Sequence, residues 1–272
     1  MTKLSRILAM VLLATSGMAV AESKPNPLIE SETWSDMRED VVGDATLSTD
    51  TSVFDIAAPH RAHDPATVPV KITQSALSTD QITEMTLVVD ENPAPIAAVF
   101  TFGESMGHID MEVRVRVNVY SNIRAIATTA SGEHYMTGRY VKAAGGCSAP
   151  SSKDPELAAS LMGKMKFREL NMPSDQTSAR REAKLQVQHP NFSGLQRDQV
   201  TLLTIPAHFI SDLEVRQGDD LLFKMEGGIS ISEDPTFHFF YNDNGSDTIT
   251  VRAVDTDGNE FQNTFAKSAV AG

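Results

Sequence analysis

Cysteine is nearly absent from this sequence: Cys147 is the only one in 272 residues. A single thiol can neither close an internal disulfide nor build a cysteine-rich zinc site. Stability must come from burial, and Cys147 is either a free thiol or bonded to another molecule. Long apolar runs are missing as well. The longest, Ile7 to Val20, falls short of the roughly 20 apolar residues that a membrane span needs. Positive charge is scarce, with 23 Lys and Arg against 36 Asp and Glu. That balance argues against a nucleic-acid binder, whose affinity rests on Lys and Arg contacts to phosphate. No phosphate loop or G-x-G-x-x-G stretch occurs. The expectation is therefore a protein without an active site of its own, and neither a cofactor nor a metal site is assigned.

What is present begins with an export signal. Lys3 and Arg6 precede the apolar run, and Ala19-Val20-Ala21 closes it before Glu22, the three parts of a secretory signal peptide. Residues 1–21 are expected to be removed and the mature chain to work in the periplasm. Losing Lys3 and Arg6 takes the formal charge from −13 to −15.

The remaining chain reads as all-β, two β-sandwiches with a short N-terminal helix and a partly helical linker. Trp34, Met37 and Val41 share one helical face, and Gly43 ends it. Period-two alternation follows at Val70 and Ile72, at Leu87 and Val89, and from Ile96 to Phe102. It is clearest from Ile109 to Val119, where Asp110, Glu112, Arg114 and Arg116 take the wet face as solvating charges. Ser131-Gly132 reads as a hairpin turn into a strand at Tyr135 to Val141. Asp154-Pro155-Glu156 then opens a helix carrying Leu157, Leu161 and Met165. A second set of strands follows: Leu185 with Val187, Ile210 to Val215, Leu221 to Met225, Phe237 to Tyr241, and Ile249 to Ala253. Turns stand at Gln217-Gly218-Asp219 and Asp255 to Gly258. The expected division is a signal peptide (1–21), a first sandwich (22–142), a cysteine arm with linker (143–182) and a second sandwich (183–272).

Between the sandwiches lies Ala143-Ala144-Gly145-Gly146-Cys147-Ser148-Ala149-Pro150. It has no apolar periodicity that would bury the cysteine, and its glycines permit bending and close approach. Cys147 is expected on an exposed, flexible arm. Lys142 and Lys153 are near enough in sequence to lower its pKa.

Several stretches of the second half resemble SoxZ of bacterial sulfur oxidation: His189-Pro190, Ile205-Pro206-Ala207-His208-Phe209-Ile210, Gly228-Ile229-Ser230, Asp234 to Phe237, and Asp247 to Val251. The hexamer is the specific one, and the rest occur in the expected order. The first half is similar to SoxY through Asp90-Glu91-Asn92-Pro93, Glu112 to Val119, His134-Tyr135-Met136 and Gly145-Gly146-Cys147. Together they mark a fused SoxYZ-like carrier of two immunoglobulin-like sandwiches. The resemblance implies that Cys147 is the covalent attachment site for sulfur intermediates, that Gly145 and Gly146 form its flexible arm, and that partner enzymes act on the cargo. It also implies that the two halves pair with each other. In SoxY the arm ends the chain with glycines on both sides of the cysteine. Here Ser148-Ala149-Pro150 follow and the chain continues, so the arm is tethered at both ends. Fused members are also associated with pyrroloquinoline-quinone-dependent dehydrogenases. The alternative reading is thus a non-catalytic interaction module for a quinoprotein dehydrogenase or its cytochrome, with Cys147 vestigial or redox-sensing.

Two weaker candidates remain. His60 and His63 could offer two metal ligands on a loop, although a polar connector is the simpler reading. His208 could orient a partner group, but a histidine among apolar residues is more often structural.

Overall fold

The computed structural model describes residues 26–171 and 180–268; the expected export signal lies outside them. The first half contains α1 (Glu32–Val42), β1 (Leu47–Ser48), β2 (Phe54–Ala57), β3 (Val68–Gln74), β4 (Ile82–Val89), β5 (Ile96–Phe102), β6 (Asp110–Val115), β7 (Ser121–Thr129) and β8 (His134–Val141). The second contains α2 (Pro155–Leu161), β9 (Met165–Asn171), β10 (Arg180–Val187), β11 (Ile210–Gln217), β12 (Asp220–Gly227), β13 (Thr236–Asn242), β14 (Thr248–Asp255) and β15 (Glu260–Ala266). The fold is all-β, as the alternation predicts.

Each half is a two-layered sandwich. In the first, β1-β8-β7-β4-β5 face β2-β3-β6; in the second, β12-β11-β14-β15 face β13-β10-β9. The halves meet edge to edge. β5 pairs with β12 and β6 with β13, both antiparallel, so both layers run on from one half into the other. Among the described residues this makes one sheet of nine strands and one of six. Pairing of this kind satisfies backbone groups that a free edge strand would leave open. The core is continuous too: Phe223 of β12 packs against Phe100 of the first half and against Phe237 and Phe239 of the facing layer.

Alternation is strict where one face is wet. Val68, Val70, Ile72 and Gln74 of β3 are buried while the residues between them are exposed. α1 follows its apolar face: Ser31 caps its start by accepting from the Trp34 amide, Gly43 ends it at φ 57°, and Trp34 packs on Val88 and Ile126. Beneath it, Arg124 stacks 4.6 Å from the Trp34 ring and forms a buried two-pronged ion pair with Asp90. α2 begins where Asp154 caps it and Pro155 occupies its first turn. β9 lies inside the stretch expected as linker, yet it pairs with β10 and belongs to the second half's sheet. The connection between halves is therefore the chain from Lys142 to Lys164.

Candidate functional site

Cys147 sits at the seam, and every feature around it is built by the sequence on either side. β6 stops at Val115, and the next residues leave the ladder. The Arg116 amide donates to Ser230 O across the seam at 2.7 Å, and the Val117 amide donates to Pro65 O at 2.8 Å. Alternation therefore ends at Val115 rather than Val119, and Arg116 turns inward. It is 1% exposed, which corrects the expected wet-face position. Asn92 fixes this bend: its amide nitrogen donates to Arg116 O and Ser230 Oγ, and its oxygen accepts from the Asn118 amide.

The cysteine segment docks on the bend. The Gly145 and Gly146 amides donate to Asn118 O and Val117 O at 2.7 and 3.0 Å. Gly146 permits the approach: a Cβ there would lie 2.1 Å from Pro65 O. Gly145 takes φ 84°, a left-handed conformation that favours glycine, and the Ser148 amide closes a tight turn onto Gly145 O. Cys147 is fully buried. The expectation of an exposed, freely bending arm is corrected: Gly145 and Gly146 provide a close fit, and the thiol lies under cover.

That cover comes from the second half. The loop 188–196 places His189, Asn191, Ser193 and Gln196 out of solvent. Ser193 Oγ donates to Cys147 O, and Gln196 Nε2 donates to Ala149 O at 2.9 Å. Asn191 and Ile210 brace the loop, the Ile210 amide donating to Asn191 Oδ1 at 3.1 Å. On the far side Glu233 accepts from the Ser152 amide and hydroxyl, and Lys153 pairs with Asp234, which also accepts from the His189 amide. Lys153 is thus committed to Asp234 and Glu233.

The cation nearest Cys147 in influence is Arg116. Its Nη1 donates to Gly146 O at 3.1 Å and its Nη2 to Asn191 O at 3.3 Å, while its buried Nε has no partner. Among the described residues it forms no ion pair, although an arginine stays charged in proteins. Burial pushes the Cys147 thiol up to about 11, against the opposing pull of the Arg116 charge. A cleft of about 250 Å³ opens beside them, lined by Asp64, Arg114, Arg116, Ala149, Pro150 and Glu233 among others. A buried thiol beside an unpaired guanidinium can hold an anion, either its own thiolate or an anionic adduct.

The other sequence candidates fall as follows. His208 joins His189 and Asp255 in a cluster at the base of the covering loop. His60 and His63 do not gather a third ligand among the described residues. His60 O instead accepts from the Lys142 amide, anchoring the start of the cysteine segment. Arg116 was read only as a solvating charge, and Asn191, Ser193 and Gln196 escaped sequence reasoning. The last three lie in a polar loop without periodicity, and only His189-Pro190 signals it.

The family described as sulfur oxidation protein SoxY matches residues 38–147, ending on Cys147, and that described as sulphur oxidation protein SoxZ matches residues 167–266. Among solved structures, the sulfur carrier protein SoxY from Chlorobium limicola f thiosulfatophilum is similar over 40% of this chain and 94% of that one, with 22% identity and a TM-score of 0.33. A beta-glycosidase from Bacteroides vulgatus is similar over 79% of this chain and 25% of that one, with 10% identity and a TM-score of 0.23. None of the curated proteins matches.

Proposed function

We propose that this chain, which belongs to the SoxY family through its first half and to the SoxZ family through its second, carries sulfur intermediates covalently on Cys147. The observation that carries this reading is the placement of its one thiol. Cys147 is the last residue of the SoxY match, and it lies beside a buried, unpaired guanidinium at the junction of the two halves.

Loading on this reading has two steps. The covering loop or the cysteine segment first moves, because a fully buried thiol cannot meet a donor. The thiol then gives its proton to solvent or a partner's base, and the thiolate attacks a sulfur of the donor. A new sulfur–sulfur bond forms, and the displaced group leaves with the electron pair of the bond that breaks. No net oxidation occurs in this exchange. Arg116 supplies positive charge where thiolate develops and where an oxidised, anionic cargo would rest. The chain presents the adduct, and partner enzymes of sulfur oxidation form and cleave it. It works in the periplasm after export through residues 1–21.

The loop also gives such partners a handle. Its continuation exposes Val200, Leu202 and Leu203 by 90%, 68% and 69%, so an enzyme that gripped this apolar tip could lift the cover. The burial of Cys147 favours a second reading as well, an interaction module for a quinoprotein dehydrogenase system in which the thiol stays closed and unused. Inorganic polysulfide distinguishes the two. The reduced protein, incubated with polysulfide and desalted, should release close to one equivalent of thiocyanate on cyanolysis, and Cys147→Ser should release none. Equal release from both proteins would remove the carrier reading.

A further inference from the structure

The histidine cluster beneath the covering loop has a feature that a structural hydrogen-bond group does not explain. His189 is 1% exposed and its Nε2 has no hydrogen-bond partner. Its Nδ1 is occupied by Asn191, with the side-chain oxygen at 2.9 Å and the backbone amide at 3.1 Å. The free nitrogen faces Asp255 Oδ2 at 3.5 Å, too long for a hydrogen bond. His208 Nε2 approaches the same oxygen at 2.8 Å and lies 3.5 Å from Asp257 Oδ2 on the solvent side. The two imidazoles meet edge to face with centroids 4.8 Å apart.

We infer that His189, His208 and Asp255, with Asp257 at the mouth, form a binding site for one divalent transition-metal ion of the zinc type. Four ligands at bond lengths of about 2.0–2.2 Å around a tetrahedral ion stand roughly 3.3–3.6 Å from one another. The histidine–carboxylate separations of 2.8 and 3.5 Å are near that spacing, and the ligand atoms of His189, His208 and Asp255 lie within 4.8 Å of one another, so the set has to draw together around the ion. Two imidazoles and carboxylates are the donors such ions accept. The surrounding groups already orient them: Asn191 fixes the His189 ring, while Asn259 donates to both Asp255 oxygens at 2.9 Å and the Asp257 amide to Oδ1 at 3.0 Å. Outer contacts of this kind accompany metal ligands.

The ion would fasten the cover over Cys147. His189 begins the covering loop, and Asn191 links it to Arg116 through the carbonyl that accepts from Nη2. His208 holds the loop's other side through its two-way backbone pairing with Phe192. The site stands on these contacts alone, whether or not Cys147 carries sulfur.

The test uses the full chain without a histidine tag and with Cys147→Ser, so that the thiol cannot bind metal. After chelator treatment and desalting, zinc and cobalt(II) are titrated, with native mass spectrometry for stoichiometry and visible absorption for cobalt geometry. A single ion per chain is expected, with the intensified cobalt bands of a four-coordinate site and a zinc-dependent rise in Tm. Adding His208→Ala should abolish all three signals, the exposed Asp257→Asn should weaken affinity about tenfold or more, and His63→Ala should change nothing. Asp257→Asn and circular dichroism guard against a His208→Ala variant that fails to fold. Binding that His208→Ala leaves intact, or no saturable binding in the Cys147→Ser protein, would overturn the site and leave His208–Asp255 a structural hydrogen bond.

Discussion

The thiol of Cys147 has two neighbours of opposite effect: a dry enclosure that disfavours the thiolate and the Arg116 guanidinium that favours it. Burial wins, with the pKa pushed up to about 11. With such a value only about one thiol in ten thousand is ionised at pH 7 in the closed form. Alkylation by iodoacetamide should therefore be slow at neutral pH and should rise about tenfold per pH unit past 9, without the plateau of an ordinary thiol near 8.5. A plateau near 8.5 in the folded protein would show that the thiol is not enclosed. The sign for stability follows. A raised thiol pKa favours the folded state fully below the unfolded chain's value, and this advantage is lost as pH climbs from there toward about 11. Wild type should lose Tm over that alkaline window, and Cys147→Ser should lose less. Arg116 itself was misplaced by alternation. The run from Ile109 to Val119 looks unbroken in sequence, but the ladder ends at Val115 because the Arg116 amide bonds Ser230 instead of a sheet neighbour. Nothing local marks that change, since the partner lies more than a hundred residues away.

At the scale of elements, the closed site depends on two fits, one on each side of Cys147. Gly146→Ala would drive a Cβ into Pro65 O, a backbone atom that cannot yield cheaply. It should cost about 1–3 kcal/mol and speed labelling of Cys147 at pH 8 by at least tenfold. Gly145→Ala meets no atom within 4 Å and carries only the cost of its positive φ. It should therefore open the segment less, which intact-mass labelling kinetics on both variants will check. Equal labelling in Gly146→Ala and wild type would mean that the segment is held elsewhere. From the other side, Ser193→Ala with Gln196→Ala removes both clasps on the segment's carbonyls and should also raise labelling while the sheets stay folded. The elements themselves were legible to different degrees. α1, β3 and β14 declared themselves because each has one wet face. β7 did not, because α1 covers its outer side and nearly all of its residues are buried. β15 was missed for the opposite reason: as an edge strand it is mostly exposed and polar.

For the whole molecule, the consequential feature is that the halves share sheets as well as a side-chain core. Separated, each would expose two unpaired edges, β5 and β6 on one and β12 and β13 on the other. The protein should unfold in one cooperative transition with coincident midpoints in circular dichroism and tyrosine–tryptophan fluorescence. Two resolved transitions would mean that the ladders contribute little. The place to cut is the connection around Ser151–Lys153, because the chain between β9 and β10 joins two strands paired within one sheet. Halves cut there should stay together on gel filtration. The resemblance to SoxY and SoxZ was legible from short motifs, and the structure shows why those motifs are short. Asn92, Ser230 and Asp234 converge on the bend and loop that enclose Cys147. How far the enclosure hides the thiol was not legible, since it depends on a loop from the other half.

The most direct measurement of the central claim is the intact mass of the protein isolated without reductant from cells grown on reduced sulfur compounds. The carrier account predicts a population with added mass in sulfur or sulfur-oxide increments, removed by reductant and absent from Cys147→Ser. An unmodified thiol under every such growth condition would contradict it.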